Sequence, residues 1–408
     1  MKNKTTSVVW IIGFCSLAAF GWFNLRLGTH PSSAKVSAGQ AGQKIPFELF
    51  GNVILLKVRV NGSEPLSFIL DTGSDATLLN SDQAGRLGLT LKKLIGANAS
   101  PDIRAAKVSL SLSDLDLGDQ TILVRVSASP PPAHSGANLH GVLGYNFFNQ
   151  FVVEIDYVAK VLTLYKPKTY QYTGAGEILP IILEFGLPFV RASVITSGTE
   201  TSERVLFIDS GSQMTANYET EQFPAKTIEP DIVDLVNGIT TKTKATFGRA
   251  KSLQLGRFVI ENPVVGLARS YHIPGLPGSM KGLLGGGTLR RFKVIFDYAQ
   301  RRMILEPNKH LRDPFEYDMS GAWLISDLPN SSGFKIASVR AKTPAAAAGL
   351  REGDVIVAIN GEPAEKFTLP QVTGEVFRRA GAGYVLQIKR GDRFFPVKIK
   401  LRRLIYRL

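Results

Sequence analysis

The chain is poor in the residues that build cross-links and metal cages: across 408 residues it has one cysteine, Cys15, and five histidines. One thiol cannot close an internal disulfide, and the scattered histidines form no zinc-type cluster with it, so disulfide scaffolds and thiolate metal sites are excluded. Charged residues are also sparse, 20% against 44% hydrophobic. That composition is globular, too apolar for global disorder and too polar for a multi-span membrane protein. The length accommodates two or three domains.

Acidic residues are the scarcer sign, 34 against 48 Lys and Arg, for a net charge of +14. Much of the excess is C-terminal, where Lys389, Arg390, Arg393, Lys398, Lys400, Arg402, Arg403 and Arg407 face only Asp392. Arg393 to Leu404 partly alternates with Phe395, Val397, Ile399 and Leu401, which predicts a strand with one wet cationic face. That face is expected to be solvated or to lie on anionic lipid. No helix-turn-helix, zinc finger or RNP-like aromatic pattern accompanies it, so nucleic acid is not an expected partner.

Only one long apolar run occurs, Val8 to Phe23, with Lys2 and Lys4 ahead of it and Trp10 and Trp22 near its ends. Residues 1–27 are expected to be a signal anchor or signal peptide and 28–46 a flexible tether. Small-x-small cleavage candidates, Ser32 to Ala34 and Val36 to Ala38, lie far beyond the run and favour an uncleaved anchor. The leading lysines put the N-terminus in the cytoplasm. The body is then membrane-anchored and extracytoplasmic (periplasmic), or secreted if the segment is removed.

The middle of the chain repeats itself. Phe68-Ile69-Leu70-Asp71-Thr72-Gly73-Ser74 is echoed by Phe207-Ile208-Asp209-Ser210-Gly211-Ser212. Leu115-Asp116-Leu117-Gly118 matches Leu253-Gln254-Leu255-Gly256, and each glycine stands the same distance after its aspartate. Gly141-Val142-Leu143-Gly144 then matches Gly282-Leu283-Leu284-Gly285, with Asp156-Tyr157 and Asp297-Tyr298 closing the two units. Residues 47–168 and 169–310 are therefore two lobes of one design. Short apolar or alternating runs, among them Val53 to Val60, Leu66 to Leu70 and Val259 to Leu267, make each lobe mainly β, with Ser81 to Leu87 the clearest helix.

An apolar strand ending in Asp-Thr/Ser-Gly delivers a carboxylate to a buried turn. There the glycine admits backbone amides and the hydroxyls supply hydrogen bonds. Two such turns facing each other put Asp71 and Asp209 in contact. Carboxylates that close cannot both ionise, so the pair shares a proton and serves as acid and base at once. Neither metal nor cofactor is required. Gly285-Gly286-Gly287-Thr288 lacks the lysine of a phosphate loop, and His140 and His272 read as loop or rim residues.

These turns, with Val142-Leu143-Gly144 and Leu283-Leu284-Gly285, resemble the aspartic proteases of the pepsin and retropepsin class. The run from Gly141 to Tyr157 resembles the bacterial retropepsin-like members in particular. The resemblance implies a bilobal double β-barrel with Asp71 and Asp209 as catalytic dyad, Thr72 and Ser210 bracing the loops, and Ser74 and Ser212 orienting the carboxylates, with Gly73 and Gly211 between them. It departs from pepsins in lacking any aromatic residue from Leu94 to Leu112, which leaves flap tips around Gly96 and Asn237-Gly238.

Beyond residue 310 the pattern changes. Gly333 to Val339, Thr343-Pro344-Ala345-Ala346-Ala347-Ala348-Gly349-Leu350, Gly353-Asp354-Val355-Ile356 and Asn360-Gly361 resemble a PDZ domain, here residues 311–408. The resemblance implies an extended peptide ligand added to a sheet edge, with Ser332, Gly333, Phe334 and Ile336 at the groove and Pro370 to Arg379 as the helix beside it. The expectation is a monomeric aspartic endopeptidase acting on protein or peptide, with a PDZ domain that recruits or regulates substrate. A non-catalytic peptide-binding adaptor is the alternative.

Overall fold

The computed structural model describes residues 42–94, 102–126, 139–196, 198–219, 232–237, 242–268, 280–326 and 333–405. The N-terminal apolar run, the flap positions Gly96 and Gly238, His272 and Ser332 lie outside them. Among the described residues no helix is long and apolar enough to cross a membrane. The chain is mainly β and divides into two compact units, with a boundary between Asp313 and Pro314.

In the first unit, alternation and turn chemistry decide where each aspartate lands. Val53–Val60 is buried along nearly its whole length. It reverses at Asn61 and Gly62, both at positive φ (51° and 73°), where the Ser63 amide donates to the Val60 carbonyl at 3.0 Å. This is the hairpin turn whose twist matches its strands. The returning strand Leu66–Leu70 pairs through Leu55↔Ile69 and Val58↔Leu66 and ends at Asp71. Leu66–Leu70 runs parallel to Gly141–Leu143, which pairs antiparallel with Leu78–Asn80, itself parallel to Leu115–Arg125.

The second lobe repeats this pairing. Leu187–Ile195 pairs with Thr201–Asp209, which runs parallel to Met280–Gly285 with Asp209 opposite Gly285. Ala216–Glu219 pairs antiparallel with Met280–Gly285 and parallel with Val264–Ala268. The sequence repeat is thus a repeat of hydrogen-bond topology. The lobes are joined by one continuous ladder in which Val152–Asp156 pairs with Phe292–Asp297, Val153 opposite Phe296 and Ile155 opposite Val294. At this seam Phe148 stacks on Tyr298 with centroids 5.4 Å apart and meets Phe296 edge-on at 5.6 Å.

The helix expected at Ser81 to Leu87 is present as Ser81–Arg86. The run from Val259 to Leu267 is two strands rather than one, Phe258–Glu261 and Val264–Ala268. Asn262 between them has φ 50°, and Pro263 has no amide to donate to a ladder.

The second unit has a six-stranded sheet, five strands in the order Ala322–Ser326, Phe334–Val339, Val355–Ile359, Gly383–Arg390, Arg393–Lys400 with the short Glu362–Pro363 paired onto Val355–Ile359, over a core that includes Ile336, Phe377 and Ile388. Pro344–Ala347 is the short helix, with Thr343 as N-cap. Asn360 and Gly361, at φ 51° and 83°, make the tight turn into Glu362–Pro363. Thr368 and Gln371 form a capping box at the start of the second helix. Gly374 does not end that helix, which widens into a π turn over Val372–Val376.

Candidate active site

Asp71 and Asp209 are each 1% exposed, and their carboxyls lie side by side, so that a Cβ on Gly73 would come within 3.0 Å of both. The two Asp-Thr/Ser-Gly turns clasp each other reciprocally. The Thr72 amide donates to Ser210 Oγ at 2.9 Å, and the Ser210 amide donates to Thr72 Oγ1 at 3.0 Å. Each hydroxyl then donates past the opposite aspartate, Thr72 Oγ1 to the Ile208 carbonyl at 2.7 Å and Ser210 Oγ to the Leu70 carbonyl at 2.9 Å. Four buried hydrogen bonds thus join the two turns between lobes.

The glycines allow the carboxyls to meet. A Cβ on Gly73 would lie 2.9 Å from the Asp209 carboxyl carbon, and one on Gly211 would lie 2.5 Å from that of Asp71. No side chain fits at either place. The Gly73 amide donates to Asp71 Oδ1 at 2.7 Å, and the Gly211 amide reaches the same oxygen at 3.2 Å.

Ser74 and Ser212 are buried beside the two aspartates, but their hydroxyls bond within their own turns. Ser74 Oγ donates to the Ala76 carbonyl at 2.8 Å, and Ser212 Oγ accepts from the Met214 amide at 3.3 Å. They close their own turns instead.

Electrostatics separate Asp209 from an ordinary carboxylate. Burial, and then the charge of the adjacent Asp71 carboxyl, hold its pKa well above the usual range, against the opposing pull of the Gly211 and Ser212 amides. Two features escape a reading of the sequence. Asp75, one residue beyond the first turn, is pushed up to about 6 by burial, partly offset by its own amide. Tyr298, at the seam, is buried, and burial and then the charge of Asp71 both push its phenol upward.

Two turns also reach across between lobes. Asn52 Nδ2 donates to the Gln213 carbonyl at 2.6 Å, and Gly186, at φ 83°, lies against the ring of Tyr145. The repeat itself was the available signal, since Gly51-Asn52 and Phe185-Gly186 hold matching places before the first strand of each Asp hairpin. Among the described residues no group of three or more His, Cys, Asp or Glu is arranged to hold a metal ion. His140 is tied into its strand, with Nδ1 accepting from the Ser67 amide at 2.9 Å.

In the C-terminal unit the residues expected at the groove do not lie on an open sheet edge. Gly333 precedes the strand Phe334–Val339, and the side chains of Phe334 and Ile336 lie in the core. That strand is paired with Ala322–Ser326 on one side, while on the other it pairs with Val355–Ile359 and the Ile336 amide donates to the Asp354 carbonyl. No edge is open there for an added strand. Among the described residues the ends of the main strand order are Ala322–Ser326 and Arg393–Lys400, and the helix beginning at Leu369 packs beside Ala322–Ser326. In the turn entering that strand, the amides of Ser320 and Gly321 donate to the Asp318 carboxylate, and the Ala322 amide donates to Ser320 Oγ.

Residues 56–147 match the family model for aspartyl proteases, and residues 335–373 match that for PDZ domains. These matches bear out the resemblance read from the sequence, an aspartyl protease body followed by a PDZ domain. Among solved structures the chain is similar to the aspartic proteinase from Irpex lacteus, at 15% identity over 67% of this chain and 99% of that one, with a TM-score of 0.43. No curated protein matches the chain.

Proposed function

We propose that the chain is an aspartic endopeptidase whose catalytic dyad is Asp71 and Asp209. The observation that carries this is a pair of buried, juxtaposed carboxyls, each with the other turn's glycine against it. With one proton between them, the ionised member takes a proton from a water as that water attacks a peptide carbonyl. The protonated member gives its proton to the developing oxyanion and then to the leaving nitrogen. Both aspartates come from one chain, so a monomer suffices, and the residues require no cofactor. The lysines ahead of the apolar run support a membrane-tethered, extracytoplasmic body, or a secreted one if the run is removed.

The PDZ unit is proposed to add an extended substrate segment to the edge of Ala322–Ser326. Because Asp318 and Ser320 already occupy the amides of the adjoining turn, main-chain pairing with an internal segment is favoured over capture of a terminal carboxylate.

Peptide-library cleavage by the full chain, with and without pepstatin, tests the dyad. Asp71→Asn and Asp209→Asn should each abolish hydrolysis, and the double variant should be no worse, because the pair acts as a unit. Full activity in either single variant would overturn the assignment. No cleavage by the wild-type chain, with peptide binding retained, would favour an adaptor instead. Deleting Phe315–Leu408 should slow cleavage of long substrates and leave short ones unchanged. Equal rates on both would remove the delivery role.

A further inference from the structure

The strands Ala322–Ser326, Phe334–Val339, Val355–Ile359, Gly383–Arg390 and Arg393–Lys400 contain no aspartate or glutamate, yet they carry Lys335, Lys389, Arg390, Arg393, Lys398 and Lys400. Arg390 is turned inward, held by two bonds of 2.6 and 2.8 Å to the buried carboxylate of Asp354. The four lysines are exposed, and none is ion-paired with a described residue.

Alternation along the last hairpin sorts its faces cleanly. Leu386, Ile388, Val397 and Ile399 point into the core, whereas Val385, Lys389, Phe394, Pro396, Lys398 and Lys400 are exposed. Two large apolar side chains stand among these cations, Phe394 at 59% exposure and Val385 at 41%. Each faces a lysine across the ladder, Phe394 opposite Lys389 and Val385 opposite Lys398. The Lys389 ammonium sits 5.9 Å from the Phe394 ring centroid.

We propose that this outer sheet face docks on an anionic lipid membrane, with Phe394 and Val385 entering the headgroup region and the lysines meeting lipid phosphates. Charge complementarity selects the occupant. A nucleic acid backbone would satisfy the lysines but leave the apolar side chains unburied, whereas a bilayer surface accepts both. The same chain carries the apolar run Val8 to Phe23 that is expected to hold it at a bilayer. Each cation near an anionic leaflet strengthens partitioning about fivefold.

Hydrogen–deuterium exchange on the full chain reconstituted in bilayer discs tests the proposal. It compares phosphatidylcholine alone with phosphatidylcholine containing about 30% phosphatidylglycerol, a surface charge typical of anionic leaflets. Peptides covering Gly383–Lys400 should exchange on the order of tenfold more slowly in the anionic discs only, given several cations at about fivefold each. Combining Lys398→Glu with Lys400→Glu, or Phe394→Ser alone, should remove that protection, while combining Lys398→Arg with Lys400→Arg should keep it. The substituted side chains are exposed, so the core peptides around Ile356 and Ile388 report an intact fold. Equal exchange in both discs overturns the proposal, as does protection that survives charge reversal. Protection by a DNA duplex in neutral discs, with none from anionic lipid, replaces the membrane with nucleic acid.

Discussion

Replacing Thr72 by valine preserves the shape of the side chain and removes only its oxygen. Two hydrogen bonds vanish, the one Thr72 Oγ1 accepts from the Ser210 amide and the one it donates to the Ile208 carbonyl. Both stranded groups are buried between lobes, and an unsatisfied buried group costs about 1–3 kcal/mol. The expected loss is therefore roughly 2–6 kcal/mol, a large share of the 5–15 kcal/mol typical of folded proteins. Thr72→Ser, which keeps the oxygen, should lose far less. Ser210→Ala strands the reciprocal pair, the Thr72 amide and the Leu70 carbonyl. Because the two clasps share one interface, the double variant should cost less than the sum of the singles. Urea unfolding gives the energies, and kcat should fall with them as the carboxyls lose register. If Thr72→Val unfolds within about 0.5 kcal/mol of wild type, the range for changes away from such features, and turns over normally, the hydroxyl clasp does not hold the dyad.

Other consequences are as direct. Gly211→Ala would press a methyl 2.5 Å from the Asp71 carboxyl carbon, and the displaced carboxyl should lower kcat on the order of a hundredfold in steady-state peptide cleavage. Asp75 has its folded pKa raised to about 6 from 3.8, so the folded state holds the extra proton and stability should fall as pH rises from about 4 to about 6. Asp75→Asn should flatten that decline and add on the order of 1–3 kcal/mol at pH 7, measured by urea unfolding against pH; an unchanged profile refutes it. Arg291 is buried and donates through Nη1 to the carbonyls of His310, Leu311 and Asp313. Arg291→Met should cost roughly 2–5 kcal/mol and speed tryptic cutting after Lys309 and Arg312, whereas wild-type digestion kinetics would show that this stretch is held by other contacts.

The facing turns at Asp71 and Asp209 were legible because they are written twice. One Asp-Thr-Gly says little, but two in register within a repeat impose the same turn on both halves, and the strands Val53–Val60 and Leu66–Leu70 came out at their expected bounds. What stayed hidden depends on partners distant in sequence. Nothing local tells that the hydroxyls of Ser74 and Ser212 turn back on their own loops, or that Asn52 reaches the Gln213 carbonyl. The pairing of the strand expected at the PDZ groove was hidden for the same reason. A run such as Phe334 to Val339 shows strand character, but only the sheet order reveals that both its sides are taken. Arg291 was equally silent, since a lone arginine in sequence does not announce the three carbonyls it binds.

The ladder between Val152–Asp156 and Phe292–Asp297 also imposes a schedule on biosynthesis. The first of these strands leaves the ribosome about 140 residues before its partner, an interval of roughly 7–28 s at 5–20 residues per second. During that time the first lobe can pair Val152–Asp156 with Val161–Tyr165 on one side only. The other side is an open, apolar edge, the kind of surface on which two nascent chains can join. Phe148 lacks Phe296 and Tyr298 over the same interval. A duplicated protein held together by a shared sheet is therefore most exposed to self-association when half made, and its yield should respond to translation speed and chaperone supply more than its finished stability suggests.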